Sequence, residues 1–248
     1  EEMNGIYIED EPYRHWTAVA RFFRGFEYSR LVSVFGDVPY YDHLLSDDEL
    51  EEMYKDRDDR TFVMDKVYDD FEYVLDNMRV SDGNSQYLNT YIAASFISRL
   101  MLFEGTWQKY HLGNNEKAKQ YLELAVRASD IVMASGNWSF SSDFKSLFGS
   151  ENLAGNGEVI MYRQYDAALG VTHHIASYSN ITESQGQAAN LSLAKSFIAT
   201  DGQPYQLSSV PNADQLDLQN MIATRDPRFE ATFWDEPRAQ AATLLYAD

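Results

Sequence analysis

Apolar residues return every three to four positions through the first half of the chain, which predicts a succession of amphipathic helices. Trp16, Val19, Phe23 and Phe26 form the first stripe, and Phe35-Gly36-Asp37-Val38-Pro39 ends it with residues that break a helix. Met64, Val67, Tyr68, Phe71, Leu75 and Met78 share a second face, which runs up to the turn Ser81-Asp82-Gly83-Asn84. A third stripe contains Leu88, Tyr91, Ile92, Phe96, Leu100 and Phe103, and the small residues Ala93, Ala94 and Ser95 leave room for a neighbouring helix. The fourth contains Ala118, Tyr121, Leu122, Ala125, Ala128 and Val132, with Asn114 or Asn115 placed to cap its start and Gly136 its end. Helices at such short separations, each with one stripe to bury, are expected to pack as tetratricopeptide-like hairpins, although the strict repeat consensus is absent.

The character changes after Gly136. Ser, Asn, Gly and Gln crowd 149–157 and 177–187, and Asp201-Gly202-Gln203-Pro204 and Arg225-Asp226-Pro227-Arg228 are turn signals. Apolar runs survive at Glu158-Val159-Ile160-Met161-Tyr162 and from Leu191 to Phe197. The expected division is a helical half, 1–136, and a loop-rich half, 137–248, with short helices and a small strand pair. Loops laid on a rigid scaffold are where binding groups usually sit. The last residues, Leu244-Leu245-Tyr246-Ala247-Asp248, are not a polar tail, and the chain reads as part of something longer.

Composition narrows the functions. The 248 residues are 44% hydrophobic and 14% aromatic, far from a disordered composition. A formal charge of −19 repels phosphate backbones and anionic membrane surfaces but leaves neutral ligands unopposed. No cysteine is available as nucleophile, staple or metal ligand. The start, Glu1-Glu2-Met3-Asn4, has neither the basic nor the apolar region of an export signal.

Motifs for catalysis are few. The chain has no H-E-x-x-H, no Walker loop and no G-x-S-x-G elbow, and Gly155-Asn156-Gly157 reads as a plain turn. His173 and His174 are adjacent and diverge on any regular element, so no metal site is expected from them. Asp47-Asp48-Glu49 and Asp56 to Asp59 lack the EF-hand spacing and read as solvated loops or helix starts. No cofactor is expected.

Several segments, in order, resemble the SusD-like (RagB/SusD) family. The run from Arg21 to Tyr28 followed by Gly36-Asp37-Val38-Pro39 resembles its helix and "GDVP" turn. Ala93-Ala94 through Gly105 and Trp107, then Trp138-Ser139-Phe140 and Phe144 to Phe148, resemble its repeat helix and the element that follows. Glu158-Val159-Ile160 is similar to its short strand, and Phe197 with Asp201-Gly202 and Arg225-Asp226-Pro227-Arg228 to its later signatures. The fold this implies is mostly α, with tetratricopeptide-like hairpins and an irregular second half. The function it implies is non-catalytic binding of an oligosaccharide or polysaccharide at the outer-membrane surface. The glycan is then delivered to a TonB-dependent, SusC-like transporter, with a lipid anchor present only in a longer parent.

Sugars present apolar C–H faces and hydroxyl rims, which aromatic rings flanked by amides and arginines hold. The candidates are Tyr165, His173, Tyr178, Asn180, Tyr205 and Trp234 in the irregular half, with Gln185 and Gln187 beside them, and Tyr40, Tyr41 and His43 after Pro39. Phe23, Phe71, Tyr91, Phe96, Phe103 and Phe148 are expected in the core, and Trp16, Trp107 and Trp138 as packing residues. Two other classes stay open: a tetratricopeptide-like scaffold that binds a peptide or protein, and an α-helical glycoside-active enzyme with two carboxylates in an aromatic cleft.

Overall fold

The first unit is built on four long helices, and side chains start three of them. α1 (Asp10–Phe35) is followed by one turn, α2 (Leu50–Met53), and then by α3 (Arg60–Asn77), α4 (Thr90–Tyr110) and α5 (Asn115–Ser135). Asp59, Asn89 and Asn114 accept hydrogen bonds from the first free amides of α3, α4 and α5. Gly36 and Gly136 end α1 and α5 at φ 72° and 66°, a region in which a Cβ is strained. The computed structural model describes residues 8–84, 86–150, 152–166, 168–172 and 189–233. The chain divides into two units, Glu1–Ser139 with Gly157–Tyr162, and Phe140–Asn156 with Arg163–Asp248.

Within the first unit the helices run as antiparallel hairpins, as the pattern predicts. Arg79 meets His15, Phe71 meets Gly25 and Arg60 meets Val32, so α3 runs back along α1. Ser98 meets Ser129 and Gly105 meets Leu122, so α5 runs back along α4. Ala93, Ala94, Ala118 and Ala125 are all buried, and they bring the backbones close. Substituting Ala94 with Leu forces a side chain into a filled interior and should cost about 1–3 kcal/mol in denaturant melts. An unchanged midpoint would show that the contact relaxes.

The expected stripes on α3 and α5 are largely the buried ones, whereas on α1 only Val19 and Phe26 of the expected four pack, half-buried, against the core. α1 buries His15, Ala18, Phe22, Gly25, Ser29 and Val32, while Trp16 is 57% and Phe23 53% exposed. The stripe is displaced by one residue, about 100° around the helix. Gly25 explains the choice: a Cβ there would lie 2.6 Å from the Phe71 ring, so α3 packs onto the small residues. Phe103 is likewise 46% exposed, because α4 turns Ala93, Ala94, Ile97, Met101 and Gly105 inward instead. Phe71 is fully buried and Phe96 packs against the same core. Trp107 is half-buried, with the Arg60 guanidinium 4.3 Å from its ring centre. Trp138 is half-buried edge-on to Tyr91, and its indole N–H donates to the Val159 carbonyl.

That bond holds the returning strap 157–162 on the first unit, where Ser139 N–H also donates to Gly157 O. The strand expected at Glu158-Val159-Ile160 is absent. The segment forms no ladder, and among the described residues only isolated bridges occur, at Val38–Asp58, Asp166–Val171 and Ala199–Arg225.

The second unit contains four short helices among its described residues: α6 (Phe144–Phe148), α7 (Leu191–Ser196), α8 (Leu218–Thr224) and α9 (Arg228–Thr232). Phe197, Phe229 and Phe233 pack ring against ring over Ala194 and Met221. Two turn signals far apart in sequence meet here. Thr200 N–H donates to Thr224 O and Asp226 N–H to Ile198 O, and the Asp226 carboxylate accepts from Arg228. Phe148 is 74% exposed beside Phe144, because a five-residue helix has too little surface to bury both rings. No helix among the described residues is long and apolar enough to cross a membrane.

Candidate functional site

The described sequence candidates fall in two places. Tyr40 is buried with its ring tilted against that of Tyr28, and its amide donates to the Asp58 carboxylate. Tyr41 is half-buried; its hydroxyl donates to Glu52 O at 3.1 Å, its amide to the Tyr28 hydroxyl at 2.7 Å, and Lys55 sits over its ring. Both rings therefore hold the loop between α1 and α3. In the second unit, Tyr165 is about half exposed with the Arg163 guanidinium 5.5 Å from its ring centre, and Tyr205 lies 5.2 Å from that of buried Arg225. His173, His174, Tyr178, Asn180, Gln185, Gln187 and Trp234 lie outside the described residues.

His43 is exposed at the tip of the same loop. One ring nitrogen is 2.9 Å from Asp42 and the other 3.2 Å from Glu49. The hydrogen bond to Asp42, then that to Glu49, raises the imidazole pKa above its ordinary value. Glu49 is pulled down to about 2, first by the Ser46 amide, then by the Ser46 hydroxyl and His43. The His43 contribution is complete below the ordinary histidine value of 6.5 and is lost as pH rises through the raised folded value. The Glu49 contribution is complete above the ordinary 4.5 and is lost as pH falls toward 2. The loop is therefore expected to be tightest between those two ordinary values. Comparing Ser46 amide exchange in the parent and His43→Gln should show extra protection in the parent in that window. The difference should vanish as pH rises past the raised His43 value, and equal protection throughout would show that His43 does not tighten the loop.

The sequence reading missed the outer face of α1. Tyr13, Trp16, Thr17, Ala20, Arg21 and Arg24 line a hollow of about 460 Å³ that opens to solvent. Arg24 forks Asp70 through Nε at 2.7 Å and Nη2 at 2.6 Å, and Arg21 Nη1 reaches the same carboxylate at 3.5 Å. Asp70 is almost wholly buried, so its charge is spent on these two cations, which remain partly exposed. Arg21 also lies 4.3 Å from the Tyr73 ring centre, and Arg24 Nη1 donates to Asp42 O. The structure thus joins the arginines of this hollow to the loop that carries Tyr41 and His43. An exposed indole beside two oriented guanidinium groups offers one apolar face and several N–H donors. The signal was present in the sequence: Ala18, Gly25 and Ser29 mark the contact face, which turns Trp16 outward.

Two carboxylates near aromatic rings are engaged structurally. Glu104 is held by Arg60, and Asp65 by Lys117 and Tyr121. Among the described residues no group of three or more His, Asp or Glu converges as metal ligands do.

No protein-family profile and no curated protein matches the chain. Among solved structures it is similar to a SusD-like carbohydrate-binding protein from Bacteroides fragilis, with a TM-score of 0.63 and 19% identity over 90% of this chain. It is also similar to a second SusD-like protein from the same organism, with a TM-score of 0.59 and 19% identity, again over 90% of this chain. The chain spans 41% and 44% of the lengths of those two proteins. Antiparallel helical hairpins, a short-helix second unit and these two structural matches agree: the chain has the SusD-like fold.

Proposed function

We propose that this chain binds a glycan without cleaving it, as part of a longer surface protein that delivers the sugar to a TonB-dependent transporter. The observation that carries this is the hollow on α1, where exposed Trp16 adjoins Tyr13 and the Asp70-anchored Arg21 and Arg24. A pyranose laid on the indole buries its C–H face, and its hydroxyls accept from the guanidinium rims. The likeness to a carbohydrate-binding protein of the same fold supports the same reading. Tyr165 and Tyr205, each beside an arginine, are proposed as a separate sugar contact within the second unit.

One observation favours a protein partner instead. Phe23, Leu31, Val34 and Phe35 leave α1 with exposed apolar surface beyond the hollow. A panel of polysaccharides in affinity gels, run with a reducing-sugar assay, separates the readings. Retardation by at least one glycan without product release is the expected result. Sustained release abolished by one Asp or Glu substitution would make the protein an enzyme, and no retardation in any gel would leave the protein-partner reading.

A further inference from the structure

We propose that a second groove, between α1 and α4, is a subsite for an acidic sugar, with Arg99 receiving the carboxylate of a uronic acid residue. The proposal rests on the glycan-binding reading and extends it to a ligand class. The groove encloses about 390 Å³ and is lined by Ser29, Arg30 and Ser33 of α1, Met64 of α3 and Leu100 and Phe103 of α4, with Arg99 on its rim. A smaller hollow of about 220 Å³, bounded by Ile92, Phe96, Ile160 and Met161, shares Arg99 as a wall.

Among the described residues, Arg99 is one of several cations of this acidic chain that have no acidic partner, and it is the one that borders this groove. Acidic residues number 39 against 20 Lys and Arg, yet Arg99 meets no carboxylate among the described residues. Its neighbours on the helix face are Ser95, Phe96, Leu102 and Phe103, none of which can pair with it. Glu104 also borders the groove but is already held by Arg60 at 2.6 Å and by Gln108. The other rim cation, Arg30, is paired with Glu27 in solvent. What remains is one exposed guanidinium between two apolar hollows, whose planar fork fits a carboxylate.

The rest of the groove suits a sugar ring. Phe103 presents nearly half its surface, and Leu100 and Met64 line the groove beside it. Ser29 and Ser33 hydroxyls donate to Gly25 O and Arg30 O at 2.8 Å each, so their lone pairs are left to accept from sugar hydroxyls. An uronate therefore finds an apolar face, a fork for its acid and acceptors for its hydroxyl protons. The net charge of −19 disfavours a polyanion at long range, so binding must come from this local contact.

The test is calorimetric titration of the whole chain with an oligogalacturonate and with the neutral galacto-oligosaccharide of equal length. The oligogalacturonate should bind the more tightly, and Arg99→Gln should weaken it by about tenfold or more while leaving any neutral-sugar binding unchanged. Arg127→Gln makes the same charge change at the Asp76 ion pair and should have no effect. Neutral binding without a preference for the acid overturns this subsite and leaves the glycan reading in place. No binding of either sugar overturns this subsite, and the glycan reading then stands or falls on the affinity-gel panel. An Arg99→Gln variant that binds the oligogalacturonate as the parent does, or a parent that binds polyglutamate equally well, also overturns it.

Discussion

Substituting Glu104 with leucine should destabilise the first unit by about 3–5 kcal/mol, the largest effect expected of any single change here. Glu104 is 1% exposed and Arg60 6%. The carboxylate takes Arg60 Nη2 at 2.6 Å and Nε at 3.0 Å, and Gln108 Nε2 at 3.0 Å. Leucine would leave the guanidinium buried with only the Val32 carbonyl and the Trp107 ring for company. An uncompensated buried charge costs more than the pair contributes, so the sign and size follow from the partner left behind. A double variant, Arg60→Met with Glu104→Leu, should recover much of the loss, because no charge then remains inside. Urea melts of the three variants check this, and a double variant no better than the single one would show that the pair contributes net stability.

The second large effect is on binding. Trp16→Ala should weaken glycan binding more than tenfold, about 1.4 kcal/mol or more, with the fold intact by circular dichroism. The indole is more than half exposed and tilted against His15, so its removal leaves no cavity in the core. Its loss removes the apolar platform while Arg21 and Arg24 stay anchored on Asp70. The affinity-gel shift measured with the best glycan of the panel reads the effect. If Trp16→Ala binds as the parent does, and a Tyr165→Ala, Tyr178→Ala, Trp234→Ala variant does not, the glycan sits on the second unit instead.

The four long helices of the first unit were legible in the sequence because each carries local signals, whereas the single turn α2 was not. Asn114 and Gly136 cap α5 as expected, Gly36 ends α1, and the α3 stripe from Met64 to Met78 is buried. Capping and periodicity act within a few residues of chain, so they can be read before any partner is known. The resemblance of ordered segments to the SusD-like family reached the fold the same way, since turns such as Asp201-Gly202 and Arg225-Asp226-Pro227-Arg228 are local signatures. Which apolar face of α1 turns inward was not a local matter. Trp16, Val19, Phe23 and Phe26 are the more hydrophobic stripe, but Gly25 and Ala18 allow α3 to approach more closely, and close packing outweighs the exposure of two rings. Only that choice leaves Trp16 exposed beside arginines held by Asp70, 46 residues farther along from Arg24. The roles of Tyr40 and Tyr41 were hidden for the same reason, because their partners Tyr28, Asp58 and Glu52 are brought to them by the hairpin. Sequence alone determined the helices and their caps; the contacts between them decided which aromatic rings became core and which were left to meet a ligand.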